Sequence, residues 1–131
     1  FRFISNRKEK RFANQWADEM NVKRSSISDT IRSLSGGNKQ KVAIAKWIGF
    51  DASVLIMDCP TRGIDIGVKA EIYRLMEQMK AQGKTIILIS EELAELIGMS
   101  DRILIMKNGR ISREFLRSRE LTDRDMIHYM I

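Results

Sequence analysis

One cysteine, Cys59, and one histidine, His128, are all that the 131 residues hold of two of the most versatile catalytic side chains. A lone cysteine excludes an internal disulfide and fits a reducing cytoplasm. Long apolar runs are also missing. Val54 to Met57 and Ile86 to Ile89 are strand-length, far from the roughly 20 residues a membrane helix needs, so the chain is not expected to cross a membrane by itself. No charged-then-apolar leader opens the sequence, because Phe1 to Ile4 is followed at once by Arg7, Lys8, Lys10 and Arg11. Internal repeats and low-complexity linkers are absent. Aromatic residues make up only 7% and rarely interleave the basic ones, which speaks against a single-strand nucleic-acid binder.

What is present fits one domain or less: 131 residues, 15.2 kDa and a hydrophobic fraction of 44%. The formal charge of +6 sits largely in the basic N-terminal stretch and reads as solvated surface.

Phe1 and Phe3 alternate with polar residues and then stop, an incomplete opening segment. Phe12, Trp16 and Met20 recur at helical spacing, predicting a helix over about residues 10 to 21. Ser25 to Ser33 reads as a polar connection. Gly37 to Ile48 returns to helix, with Ser35 as N-cap and Val42, Ala45, Ile48 and Phe50 on its buried side. Val54 to Met57, ending in Asp58, reads as a buried parallel strand with functional residues at its C-terminal end. Val68, Ile72, Leu75, Met76 and Met79 form a helical stripe that Gly83 ends before a strand at Thr85 to Ile89. A third strand, Arg102 to Met106, turns through Lys107-Asn108-Gly109 into Arg110 to Glu114. A last helix begins near Thr122. This order predicts an α/β fold, an open sheet with flanking helices and a C-terminal β-hairpin.

Ser35-Gly36-Gly37 at a helix start has a chemical use. The first backbone N–H groups of a helix are unsatisfied and its dipole leaves partial positive charge there, so phosphate oxygens bind well. Adjacent glycines let the backbone approach an anion, and the Ser35 hydroxyl can add a donor. Taken alone, the tripeptide reads as a turn before a capped helix.

The wider sequence decides between these. Leu34-Ser35-Gly36-Gly37-Asn38-Lys39-Gln40-Lys41-Val42-Ala43-Ile44-Ala45-Lys46 resembles the signature helix of ATP-binding cassette proteins, with Asn38 where glutamine is more usual. Val54 to Gly67, containing Asp58-Cys59-Pro60-Thr61-Arg62-Gly63-Ile64-Asp65, resembles that family's magnesium-aspartate strand and D-loop. Glu71-Ile72-Tyr73, Ser90-Glu91-Glu92-Leu93 and Gly98 to Ile103 match further on. Asn38 with Thr61 to Asp65 is similar to the second nucleotide-binding domain of two-domain bacterial sugar importers, and the resemblance spans roughly residues 12 to 115.

The resemblance implies residues 1–131 as the C-terminal part of one nucleotide-binding domain. About 1–50 would be helical subdomain with the signature helix, and about 51–131 the magnesium-aspartate strand, D-loop, switch region and terminal hairpin and helix. The family's P-loop, G-x-x-x-x-G-K-[ST], is missing. Gly83-Lys84-Thr85 imitates its end, but Gln78 stands where glycine is needed and the triplet leads into a strand, so it reads as a turn. In the family, Asp58 corresponds to the carboxylate that holds Mg²⁺ through water. Cys59 takes the position of the glutamate that polarises the attacking water, and a largely neutral thiol is a poor replacement. Cys59 also reads simply as a small buried residue. Glu91 takes the place of the switch histidine, where an anion repels the terminal phosphate; if Ser90 is the equivalent, a weak donor remains. His128 reads as a surface residue.

By resemblance, two cassettes pair head to tail, each P-loop holding ATP against the other's signature. Ser35, Gly36, Gly37, Asn38 and Gln40 are then expected to bind a partner's nucleotide in trans, Asp65 to transmit closure through the D-loop, and the site of Asp58, Cys59 and Glu91 to be degenerate. The implied cofactors are ATP and Mg²⁺. The implied partners are a second nucleotide-binding domain, transmembrane permease subunits and, indirectly, a periplasmic or extracellular sugar-binding protein, with the subunit peripheral on the cytoplasmic face of the cell membrane. Alone, the chain is expected to be inactive and to associate through exposed sheet edges and apolar faces such as Val54, Ile56 and Ile87. Two alternatives remain: a nucleic-acid-associated cassette ATPase of the repair or ribosome-bound type, favoured by the charge of +6, and a non-hydrolysing structural or regulatory module.

Overall fold

The structure is a computed structural model that describes residues 5–49 and 51–130. Phe1, Phe3 and Phe50, read above as an opening segment and an apolar helix position, lie outside them. The chain divides into two compact units. The first runs to Leu55 and resumes from Thr61 to Ile86; the second comprises Ile56–Pro60 and the chain from Ile87 onward.

In the first unit, α1 spans Asn6–Glu19, four residues earlier at its start than the apolar spacing predicts. Arg7 to Arg11 are helix formers without an apolar stripe, so propensity rather than pattern extends the helix. It ends at Met20, and Asn21 follows in the left-handed region at φ 48°, a conformation asparagine tolerates. A single 3₁₀ turn at Ile31–Ser33 breaks the polar connection. α2 covers Gly36–Ile48, with Ser35 as its N-cap. Ile44, Ala45 and Ile48 are buried as its face requires, and Val42 is only half-buried. Gly49 closes the helix where a Cβ would strike the rings of Phe12 and Trp16, so α1 and α2 approach closely because this position is glycine. α3 spans Ile66–Ala81, buries Ile72, Met76 and Met79, and ends through Gly83 at φ 80°.

β1 (Val54–Asp58) pairs with β2 (Thr85–Ile89). The Thr85 N–H donates to the Ser53 carbonyl and the Cys59 N–H to the Ile89 carbonyl, each at 2.9 Å. Start bonds to start and end to end, so the strands are parallel. β1 is not the fully buried strand expected from its continuous apolar run: Leu55 and Met57 are buried, whereas Val54 and Ile56 are 53% and 68% exposed.

In the second unit, α4 (Leu93–Met99) was not anticipated, although Leu93, Leu96 and Ile97 stand at helical spacing. β3 (Arg102–Lys107) and β4 (Arg110–Leu116) form the expected hairpin, with Asn108 and Gly109 at φ 50° and 73° as a primed turn demands. Among the described residues β3 pairs with β4 alone, as a sheet of its own rather than as a third strand beside β1 and β2. A bulge after Ile105 leaves Ser112 without an opposite residue, and its hydroxyl donates to the Tyr129 carbonyl at 2.8 Å. α5 (Asp123–Ile127) opens with a capping box between Thr122 and Asp125. Ile103, Ile105 and Met126 form the core here, covered by Leu93, Leu96, Ile97, Phe115, Leu121 and Tyr129. No described helix is long and apolar enough to cross a membrane.

Candidate functional site

The sequence-derived site residues fall into two sets, one in each unit. In the first unit, the N-termini of α2 and α3 lie against each other. A Cβ on Gly37 would stand 3.0 Å from both methyl carbons of Val68. The two glycines therefore serve different ends. Gly36 is exposed with nothing within 4 Å of its Cβ position, open to an approaching group. Gly37 is half-buried, and a Cβ there would press on Val68, which would have to give by a few tenths of an ångström. Asp65 caps α3, its Oδ1 accepting from the Val68 N–H at 3.0 Å, which fixes the turn that carries Val68 to Gly37.

Ser35 is exposed, and its Oγ accepts from the Asn38 backbone N–H at 3.4 Å and from Asn38 Nδ2 at 2.9 Å. Asn38 Oδ1 in turn accepts from the Lys23 N–H at 3.0 Å, tying the chain after α1 to the start of α2. Gln40 sits half-buried two residues farther along. Deeper in α2, Lys41 is buried, pairs with Glu71 on α3 and donates to the Asn21 carbonyl at 3.2 Å. Neither the Asn38–Lys23 bond nor this lysine bridge was legible in the sequence, because no local pattern marks a contact between distant positions. The arrangement presents free N–H groups, a dipole end and a hydroxyl to solvent at one place, which suits an anion.

In the second unit, Asp58 is exposed at the end of β1, and Cys59 follows half-buried at φ 45°. A left-handed conformation is strained for a residue with a Cβ, and the bond from its N–H to Ile89 holds it there. That bond places Cys59 beside the end of β2, from which Ser90 and Glu91 emerge. Glu91 is exposed; the Ser90 Oγ accepts from the Glu92 N–H at 3.0 Å at the entrance to α4. Asp58 offers a single carboxylate of hard oxygens, which suits Mg²⁺ held through water rather than in a protein cage. Gly83-Lys84-Thr85 is a turn, and Lys84 Nζ binds Asp51 at 2.7 Å and the Ala52 carbonyl at 3.2 Å instead of a phosphate. His128 is exposed and stacks edge-on with Tyr129.

A family model described as ABC transporter matches residues 4–62. The ribose import ATP-binding protein RbsA of Rhodococcus jostii is 46% identical over 118 residues, covering 90% of this chain and 24% of that protein. RbsA 2 of Rubrobacter xylanophilus is 44% identical over 126 residues, covering 96% of this chain and 24% of its own length. The chain thus spans about a quarter of the relatives it matches. Among solved structures, the ATP-binding cassette MJ1267 of an ABC transporter superposes with TM-score 0.81 at 23% identity, over 100% of this chain and 53% of that one. A dimeric post-hydrolysis state of the cassette MJ0796, bound to ADP and Pi, gives 0.76 at 22% identity over 88% and 50%. Sequence relatives and fold agree on one assignment: the chain belongs to the ABC transporter ATPase-domain family.

Proposed function

We propose that this chain is a segment of the ATP-binding subunit of an importer for a sugar of the ribose type, and that it offers the N-terminus of α2 to the γ-phosphate of a nucleotide held by a partner cassette. The observation that carries this reading is the open end of α2: Ser35 and Gly36 are exposed, and apart from the chain neighbours and the helix's own backbone no atom lies within 4 Å of the Gly36 Cβ position. The ribose-import names of relatives at 44–46% identity support the substrate class. Asp65, at the cap of α3, transmits closure because its turn is packed on Gly37 through Val68. The partners are a second cassette, membrane-embedded permease subunits and, through them, an external sugar-binding protein; the subunit is peripheral on the cytoplasmic side.

The second unit's strand mouth is the degenerate half. Bound there with nucleotide, Mg²⁺ would neutralise phosphate charge. Asp58 would orient its water shell, Cys59 lacks the charge to accept a proton from attacking water, and Glu91 cannot donate to a phosphate oxygen. In the assembled ATPase, Ser35→Arg is expected to abolish sugar-coupled hydrolysis, while Cys59→Ala leaves it nearly unchanged. A large loss from Cys59→Ala overturns the degenerate-site reading, and full activity in Ser35→Arg overturns the clamp.

A further inference from the structure

The amide of Asn38 is committed at both ends. Its Oδ1 accepts from the Lys23 backbone N–H at 3.0 Å, and its Nδ2 donates to Ser35 Oγ at 2.9 Å. A backbone N–H can only donate, so the Lys23 contact decides which amide atom is oxygen and turns the NH₂ group toward Ser35. Ser35 Oγ also accepts from the Asn38 backbone N–H at 3.4 Å. A hydroxyl has one hydrogen and two lone pairs. With both lone pairs occupied from the protein side, the hydrogen is left for the solvent side, where Ser35 and Gly36 are exposed.

We propose that Asn38 is a positioning residue that sets the polarity of the Ser35 hydroxyl, so that Ser35 meets the terminal phosphate of a nucleoside triphosphate as a donor; this rests on the clamp reading of α2 above. One N–H of the Asn38 amide is spent on Ser35 and its carbonyl oxygen on Lys23, so the proposed effect runs through Ser35. The tether is made by the Lys23 backbone and the donor bond by Ser35, so the orientation of the hydroxyl is set by the protein itself.

The test is a double-mutant cycle on kcat and KM for MgATP in the assembled ATPase, with melting temperatures for each variant. Ser35→Ala is expected to lower kcat about tenfold or more, as loss of a hydrogen bond to a charged group does. Asn38→Asp keeps the shape and the acceptor for Lys23, but its second oxygen can only accept and claims the Ser35 hydrogen. Its charge also repels the phosphate, so it is expected to lower kcat at least as far as Ser35→Ala while melting like the parent. In the Ser35→Ala background, Asn38→Ala, which brings no charge, is expected to add less than about a twofold loss, because its route through Ser35 is already gone. Losses that multiply in that background mean that Asn38 acts by its own contact, and parental kcat in Asn38→Asp means that it does not act on Ser35; either overturns the inference and leaves the clamp standing. Parental kcat in Ser35→Ala overturns both.

Discussion

Gly36 and Gly37 are neighbours of one residue type with opposite reasons for being glycine, and alanine separates them. Gly36→Ala meets no atom within 4 Å and is expected to fold with parental stability, while its methyl stands in the path of an anion and lowers ATPase in the assembled protein. Gly37→Ala drives a Cβ against Val68, whose β-branched side chain in a helix has little rotational escape, and is expected to destabilise by about 1 kcal/mol. Denaturant melts of the two variants beside ATPase assays check the split. The sequence marks both positions as a close-approach site, and Ser35 as a cap is equally legible, because both are local features. That Val68 stands behind Gly37, or Lys23 behind Asn38, is not legible, since 31 and 15 residues respectively separate the partners.

Among elements, the junction of α1, α2 and α3 depends on a buried lysine. Lys41 is 4% exposed and bridges Glu71 to the Asn21 carbonyl. Removing the partner leaves a buried charge, so Glu71→Ala is expected to cost about 1–3 kcal/mol, toward the lower end because Glu71 is partly solvated. Lys41→Met keeps the packing and removes the charge, and is expected to cost less than Glu71→Ala in the same urea melts. In the second unit, hydrogen bonds from the Thr122 hydroxyl and backbone N–H hold the Asp125 carboxyl below its ordinary value. A depressed folded value stabilises above the unfolded value near about 3.9 and is lost as pH falls through the folded one. The cap of α5 is therefore expected to hold at neutral pH and to fail in acid, and Thr122→Val is expected to raise the Asp125 value toward normal in an NMR titration. The Asn108-Gly109 turn and the Thr122 start were readable because turn and cap chemistry is written in adjacent residues. α4 was missed because seven residues give its stripe only two turns, and the bare face of β1 because a continuous apolar run does not say which side is covered.

At the scale of the whole molecule, Val54, Ile56, Ile87 and Ile89 are between 48% and 68% exposed on paired parallel strands, which ordinarily have both faces covered. The 131-residue chain by itself is expected to self-associate in light scattering, and Ile56→Thr with Ile87→Thr to reduce that association while keeping strand-compatible side chains. A monodisperse monomer contradicts this. The most direct measurement concerns whose nucleotide α2 faces. With Cys59→Ala and any further cysteines of the assembly replaced, Ser35→Cys is paired with a single cysteine in the P-loop of the partner cassette, and disulfide formation is followed on gels with and without nucleotide. Cross-linking is expected with ATP under non-hydrolysing conditions and little with none; no cross-link with ATP, or the same yield without it, contradicts the claim that α2 closes on a partner's ATP.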